Sequence, residues 1–279
     1  MEESTAQAVS TRKRWLIRIA KVAAVMVGLW LLSAYVILPA LWKHYEHQPG
    51  LEDAPKTSIT AQHIPGDPLN VGLIGAEETV VAALLGAGWE PADPVTLRSS
   101  LKIARSVLFK HRDDDAPVSP LFVFGRKQDL AFEKAVNDNA RRRHHVRFWR
   151  ATELGRGGVP FWIGAVTFDT SVGFSHRTGQ ITHHIAPDID ADRDLLMAGL
   201  RKAGWLTELY QVTGVGATVL GRNGGGDPYD TDGELTVGVL SVESSAGNRP
   251  ETLDNPVAVQ IKEQLWSVIR PLLRSLPGQ

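Results

Sequence analysis

The sequence predicts an α+β fold: a mixed β-sheet with packed helices, compatible with two related βα halves, preceded by one N-terminal transmembrane helix. Three observations predict it. A charge-free apolar run fills residues 22–42. Beyond it, short alternating stretches are interleaved with stripes at helical spacing. Ala-Gly-Trp closes an acid-capped helical stretch twice, at residues 87–89 and 203–205. Composition sets the limits: 43% hydrophobic and 22% charged residues describe a folded chain, and 279 residues leave about 200–220 for a core once tails and anchor are removed. Thirty Lys+Arg against thirty-one Asp+Glu argue against a polyanion-binding protein. With no Cys, disulfides, thiolate metal sites, iron–sulfur clusters and thiol nucleophiles are excluded.

The anchor, Val22 to Trp42, is 21 residues long. At about 1.5 Å per residue it crosses a hydrocarbon layer of about 30 Å. Trp42 suits an interfacial aromatic, and Pro39 falls near the end, where a kink is tolerated. A cleaved signal peptide would have a shorter apolar region and a small-residue cleavage pattern, which this run lacks. Arg12, Lys13, Arg14, Arg18 and Lys21 precede it and Lys43 follows. The positive-inside bias therefore puts residues 1–21 in the cytoplasm and the domain outside, in the periplasm of a bacterial inner membrane. Residues 43–66 read as a linker, 67–250 as the domain and 251–279 as a C-terminal helix.

Within the domain, Leu69–Val71 reads as a strand. Glu77 and Glu78 open a helix carrying Val80, Val81, Leu84 and Leu85, closed by Gly88. Asp93-Pro94 starts another, with Leu97, Leu101, Ala104 and Leu108 in one stripe and Arg98, Lys102 and Arg105 beside it. Leu121–Phe124, Val146–Trp149, Phe161–Phe168 and Ile181–Ile185 are strand candidates. A helix follows with Asp190 as N-cap, Asp192 and Asp194 in its first turn, and Gly204 at its end. Two more strands, near Leu209–Val219 and Leu235–Val242, flank a Gly/Asp-rich loop. The terminal helix starts at Asn255-Pro256 and carries Val257, Ile261, Leu265 and Val268, with Pro271 bending or ending it.

Five stretches, AGWEPADPVTLRSSLKIA, SPLFVFGRKQDLAFEKA, RRRHHVRFWR, FWIGAVTFDTSVG and ITHHIAPDIDADRDLL, together give a chain that resembles the LssY C-terminal domain family over about residues 65–245. Such domains resemble appendages of bacterial membrane proteins, some following phosphatidic-acid-phosphatase-type or DedA-type multispanning modules. The resemblance brings no catalytic residues. A single anchor with no phosphatase motif upstream leaves lipid-phosphatase activity unsupported.

The candidate polar cluster is Asp169, His183, His184, Asp188, Asp190 and Arg193, from strand ends and a helix start. His183, His184 and Asp188 carry metal-ligand chemistry, but neighbours on a strand point apart, so the segment is expected to form a polar network rather than a metal site. One His is expected within reach of Asp169. Arg98, Lys102, Arg105, Arg141, Arg142, Arg143 and Arg147 are candidates for anions or lipid headgroups, although a solvated turn entering an edge strand is the plainer expectation for the run at 141–147. The GGGDPYDTDGE loop has calcium-loop composition without the EF-hand spacing, and reads as a hairpin connection. No P-loop, GxSxG or HExxH occurs. The expected role is a non-catalytic envelope or secretion-associated interaction module with a membrane-protein partner, no cofactor and no nucleic acid. The alternatives are a metal-assisted hydrolase of lipid or envelope substrates and an anionic-lipid-binding module.

Overall fold

The computed structural model describes residues 2–38, 51, 54–92, 120–136, 139–177, 179, 181–245 and 247–275. The chain divides into two units, Met1–Glu46 and His47–Gln279. In the first, helix α1 (Glu2–Leu32) continues into a π-helical turn, Ser33–Ile37. Its segment Arg14–Ile37, 24 residues with mean hydropathy 1.9, is long and apolar enough to cross a membrane. The helix thus begins well before Val22, and Arg14, Arg18 and Lys21 lie on it.

The second unit is a mixed α+β body. Its strands are β1 (Thr57–Thr60), β2 (Pro65–Pro68), β3 (Val71–Ile74), β4 (Glu90–Pro91), β5 (Leu121–Val123), β6 (Arg126–Lys127), β7 (Leu130–Val136), β8 (Asn139–Leu154), β9 (Pro160–Phe174), β10 (Ile181–Ile185), β11 (Leu206–Val212), β12 (Leu220–Arg222), β13 (Pro228–Asp230), β14 (Leu235–Leu240) and β15 (Glu251–Thr252). The helices are α2 (Glu77–Gly86), α3 (Ile189–Lys202) and α4 (Val257–Arg274). The large sheet runs β15-β11-β14-β3-β9-β8-β7-β4, and β10 pairs with β9. A small sheet runs β2-β1-β5-β6, and β12 pairs with β13.

β9 organises the large sheet. Asp169 pairs with Arg143 on one edge and Ile185 on the other, so β3 and β10 lie end to end along the edge opposite β8. Asn70 fills the gap between them. Its amide donates to the carbonyls of Val166 and Ile189 at 3.1 Å and accepts from Val166 N–H at 3.0 Å. A buried side chain thereby completes a ladder that the main chain leaves open.

Alternation along the strands gives the sheet two cores. Val146, Phe148, Trp162 and Val166 face α2 and α3, which contribute Leu84, Leu196 and Leu200. Trp149, Phe161, Ile163, Ala165 and Val237 face the other way and meet Leu69, Leu121 and Val123. α2 and α3 each end in a glycine of positive φ before a tryptophan, Gly88 (79°) with Trp89 and Gly204 (74°) with Trp205. A Cβ on Gly204 would also sit 2.3 Å from Ser245 O, so no other residue fits.

Several expectations change. Part of the presumed linker 43–66 forms β1 and the start of β2. β7 has no counterpart among the predicted strands, and β8 and β9 are longer than expected, at 16 and 15 residues. The run at 141–147 is not an edge: β8 lies between β7 and β9. The cap of α3 is Asp188, which accepts from Ala191 N–H, while Asp190 is buried in the first turn. The helix expected after Asp93 lies outside the described residues.

Candidate functional site

The six residues expected to form one polar cluster divide among three groups. The first is built on the face of the sheet opposite α2 and α3, where odd-numbered residues of β8 and β9 project. Arg143, His145, Arg147, Thr167 and Asp169 are all buried there. Asp169 Oδ2 is approached by His145 Nδ1 at 2.7 Å and by His183 Nδ1 of β10 at 2.9 Å. Glu133 of β7 pairs with Arg143 at 3.1 Å and lies 3.4 Å from His145 Nε2. Arg147 donates to Asp67 of β2 at 2.9 Å, tying the small sheet to the large one. Burial is the largest influence on Asp169 and opposes its charge, yet the two histidines together outweigh it and hold the carboxyl well below the usual range. Burial likewise opposes charge on His145, but Asp169 and Glu133 prevail and raise its pKa. At Asp67 burial wins over Arg147, and the pKa rises.

In the second group, His184 Nδ1 lies 2.7 Å from Asp227 Oδ1, and His176 Nε2 of the β9–β10 turn lies 3.7 Å from the same oxygen. Among the described residues, His176, His184 and Asp227 are the group whose potential ligand atoms all lie within 4.8 Å of one another. His183 and Asp188, expected beside His184, are not in it. Sequence reasoning missed His176 and Asp227. Asp227 lies in the glycine-rich loop that stands out for its acidic composition, but nothing local signals that the loop returns to β10.

The third group secures α4. Arg270 pairs with Asp188 (2.7 Å), Asp190 (3.0 Å) and Asp230, and Arg274 with Asp188 (2.9 Å) and Asp230 (2.6 Å). Arg193 makes a two-pronged contact with Asp232 at 2.8 and 2.9 Å, and Lys262 pairs with Glu234. Burial pushes the Asp188 carboxyl up, but the two arginines and the Ala191 N–H bring it below its ordinary value. The same arginines act as clamps, because α4 turns its charges inward and its apolar residues outward. Val257, Ile261, Leu265, Val268 and Leu272 are 52–70% exposed, whereas Val259 is buried. The spacing of 4, 4, 3 and 4 keeps all five on one face, which carries no charged residue.

The basic candidates are mostly committed or undescribed. Arg143 and Arg147 are buried against carboxylates and cannot reach a headgroup. Arg142 is exposed and lies over the Phe168 ring at 5.5 Å. Arg98, Lys102, Arg105 and the Arg141 side chain lie outside the described residues.

A mixed sheet with α2 and α3 on one face and a small sheet on the other, in a chain that also carries an N-terminal helix long and apolar enough to cross a membrane, defines an α+β domain class. Within it, the family pattern described as the LssY C-terminus matches residues 51–235, and the chain belongs to that family. Neither the curated proteins nor the solved structures contain a match to this chain.

Proposed function

We propose that this chain is a membrane-anchored interaction module, with its domain held outside the cytoplasmic membrane and a protein partner docked along α4. The carrying observation is the exposed face of Val257, Ile261, Leu265, Val268 and Leu272 on a helix clamped to the body by ion pairs to buried carboxylates. An apolar stripe about four turns long is costly to leave in water, and rigid anchoring of its opposite side suits a docking surface. A protein partner fits better than a lipid surface. An interfacial helix flanks its apolar arc with free Lys and Arg, whereas Lys262, Arg270 and Arg274 are spent on internal carboxylates. Orientation rests on the five basic residues before the apolar run and the single Lys after it.

A photo-cross-linking residue at position 261 or 265 of the full chain in intact cells tests this. The expected result is one discrete protein adduct, absent when the probe replaces Val242, which is 86% exposed but off the stripe. Adducts to lipid alone, or equal protein adducts from both positions, would overturn it.

A further inference from the structure

We infer that His176, His184 and Asp227 form a divalent transition-metal site, with Zn²⁺ as the ion it fits. The two nitrogens and one carboxylate oxygen come from two separate segments, the β9–β10 hairpin and the loop between β12 and β13. Two imidazoles with one carboxylate suit Zn²⁺ and its neighbours, not Ca²⁺ or Mg²⁺, which want oxygen ligands. Tetrahedral Zn²⁺ at about 2.0–2.2 Å from each ligand places ligand atoms about 3.3 Å apart. The observed separations of 2.7 Å (His184–Asp227) and 3.7 Å (His176–Asp227) bracket that value.

The surroundings are arranged as an outer shell. Asp227 Oδ2 accepts from Ile185 N–H at 3.2 Å and from Asn223 Nδ2 at 3.4 Å, so this oxygen is spent and Oδ1 is the one turned to both histidines. Asn223 Oδ1 in turn accepts from Asp227 N–H at 2.9 Å, fixing the loop. The His184 ring lies over Gly173, where a Cβ would come within 2.6 Å of Nε2, so a side chain there would displace the imidazole. His176 is seated by its own N–H on Gly225 O at 2.8 Å. Gly226, at φ +92°, has room for no Cβ beside that of His176 (2.9 Å). Gly226 thus lets the loop press against the hairpin tip, while Gly224 lets it pass close to the small sheet, where a Cβ would meet Pro65 O at 3.0 Å. His176 is 67% exposed on its side chain while Asp227 is 7%, so the carboxylate is built in and one ligand faces solvent. Three protein ligands leave a fourth position for water or a partner's side chain.

The test uses the full chain in detergent, purified without a histidine tag and stripped with chelator, then titrated with ZnCl₂ and, for spectroscopy, CoCl₂. One equivalent of Zn²⁺ should bind, and Co²⁺ should show the intense visible bands of a four- or five-coordinate ion. His176→Ala, at an exposed position that does not threaten folding, should weaken binding at least about tenfold. Asp227→Asn should do the same, and His183→Ala should leave affinity unchanged. Absence of saturable binding, or equal weakening by His176→Ala and His183→Ala, would overturn the site.

Discussion

The Asp169 and Asp227 clusters use the same parts to opposite ends. Each centres on a carboxylate, each receives one of two adjacent histidines from β10, and each has a second histidine within 3.7 Å. The Asp169 cluster is buried under the small sheet among Arg143, Arg147, Glu133 and Asp67. Its charged groups are paired with one another inside the protein. The Asp227 cluster sits where the hairpin tip meets a glycine-rich loop, and its outer histidine faces solvent. Chemistry available to a ligand depends on which lone pairs the fold leaves unspent. Residue type alone does not decide it.

The strongest way to break the comparison is to delete each carboxylate. Asp169→Ala leaves His145 and His183 facing each other without their shared anion, and should cost about 3–5 kcal/mol. Asp227→Ala loses contacts to His184, Ile185 N–H and Asn223, but its histidines are partly open to water, and it should cost about 1–2 kcal/mol. Urea unfolding of both variants, followed by the fluorescence of buried Trp149 and Trp162, measures the ratio. Equal losses would mean that the solvent-facing second histidine does not separate the clusters. Next comes Asn70, on whose seam the placement of β10, and hence of both histidines, depends. Asn70→Ala leaves Val166 N–H and two carbonyls unpaired and should cost about 3 kcal/mol, with faster hydrogen exchange at Val166.

Acidity offers a finer distinction. The folded pKa of His145 is raised, so its contribution is full below the unfolded value of about 6.5 and fades as pH climbs through the folded pKa. Asp169 is depressed, so its contribution is full above about 3.9 and is lost in acid as pH falls toward its folded pKa. Between about pH 4 and 6.5 both are expressed. The stability difference between the wild type and His145→Gln should therefore shrink as pH rises above about 6.5. Taking the difference separates this effect from Asp67 and Glu234, whose carboxyls burial raises. A difference that stays flat from pH 6 to 9 would contradict the charged pairing.

Much of this framework is legible in the sequence. Ile181–Ile185 appears as a strand with the predicted bounds because alternation and flanking turns agree. α2, ending before Gly88, is equally clear from its acidic start and glycine stop. β8 is not. Three consecutive arginines mask the alternation that puts Arg143, His145 and Arg147 on one face, and their neutralising partner Asp67 lies 80 residues from Arg147. The same limit hides the candidate metal group. His184 and Asp227 are 43 residues apart, and only the glycine run hints at the close approach that joins them. Asp188 and Asp190 look like parts of a histidine site by proximity in sequence, yet the arginines of α4, more than 80 residues onward, claim Asp188.

The smallest expected effect is on α4, whose two sides extend the same contrast between committed and available groups. Leu265 is 58% exposed, so Leu265→Asp should change folding stability by about 0.5 kcal/mol or less, near the helix-propensity difference alone. Val259, on the opposite face, is 1% exposed, and an aspartate there would be a buried unpaired charge that costs several times more. The pair of measurements turns on a simple asymmetry. A side chain conserving no stability in the isolated protein, at the centre of an uncharged stripe, has no structural reason to be apolar. If Leu265→Asp instead costs as much as Val259→Asp, the stripe is packed within the chain and the docking face on α4 does not exist. If it costs almost nothing and still removes the cross-linked adduct expected from position 261, the outer face acts only in binding.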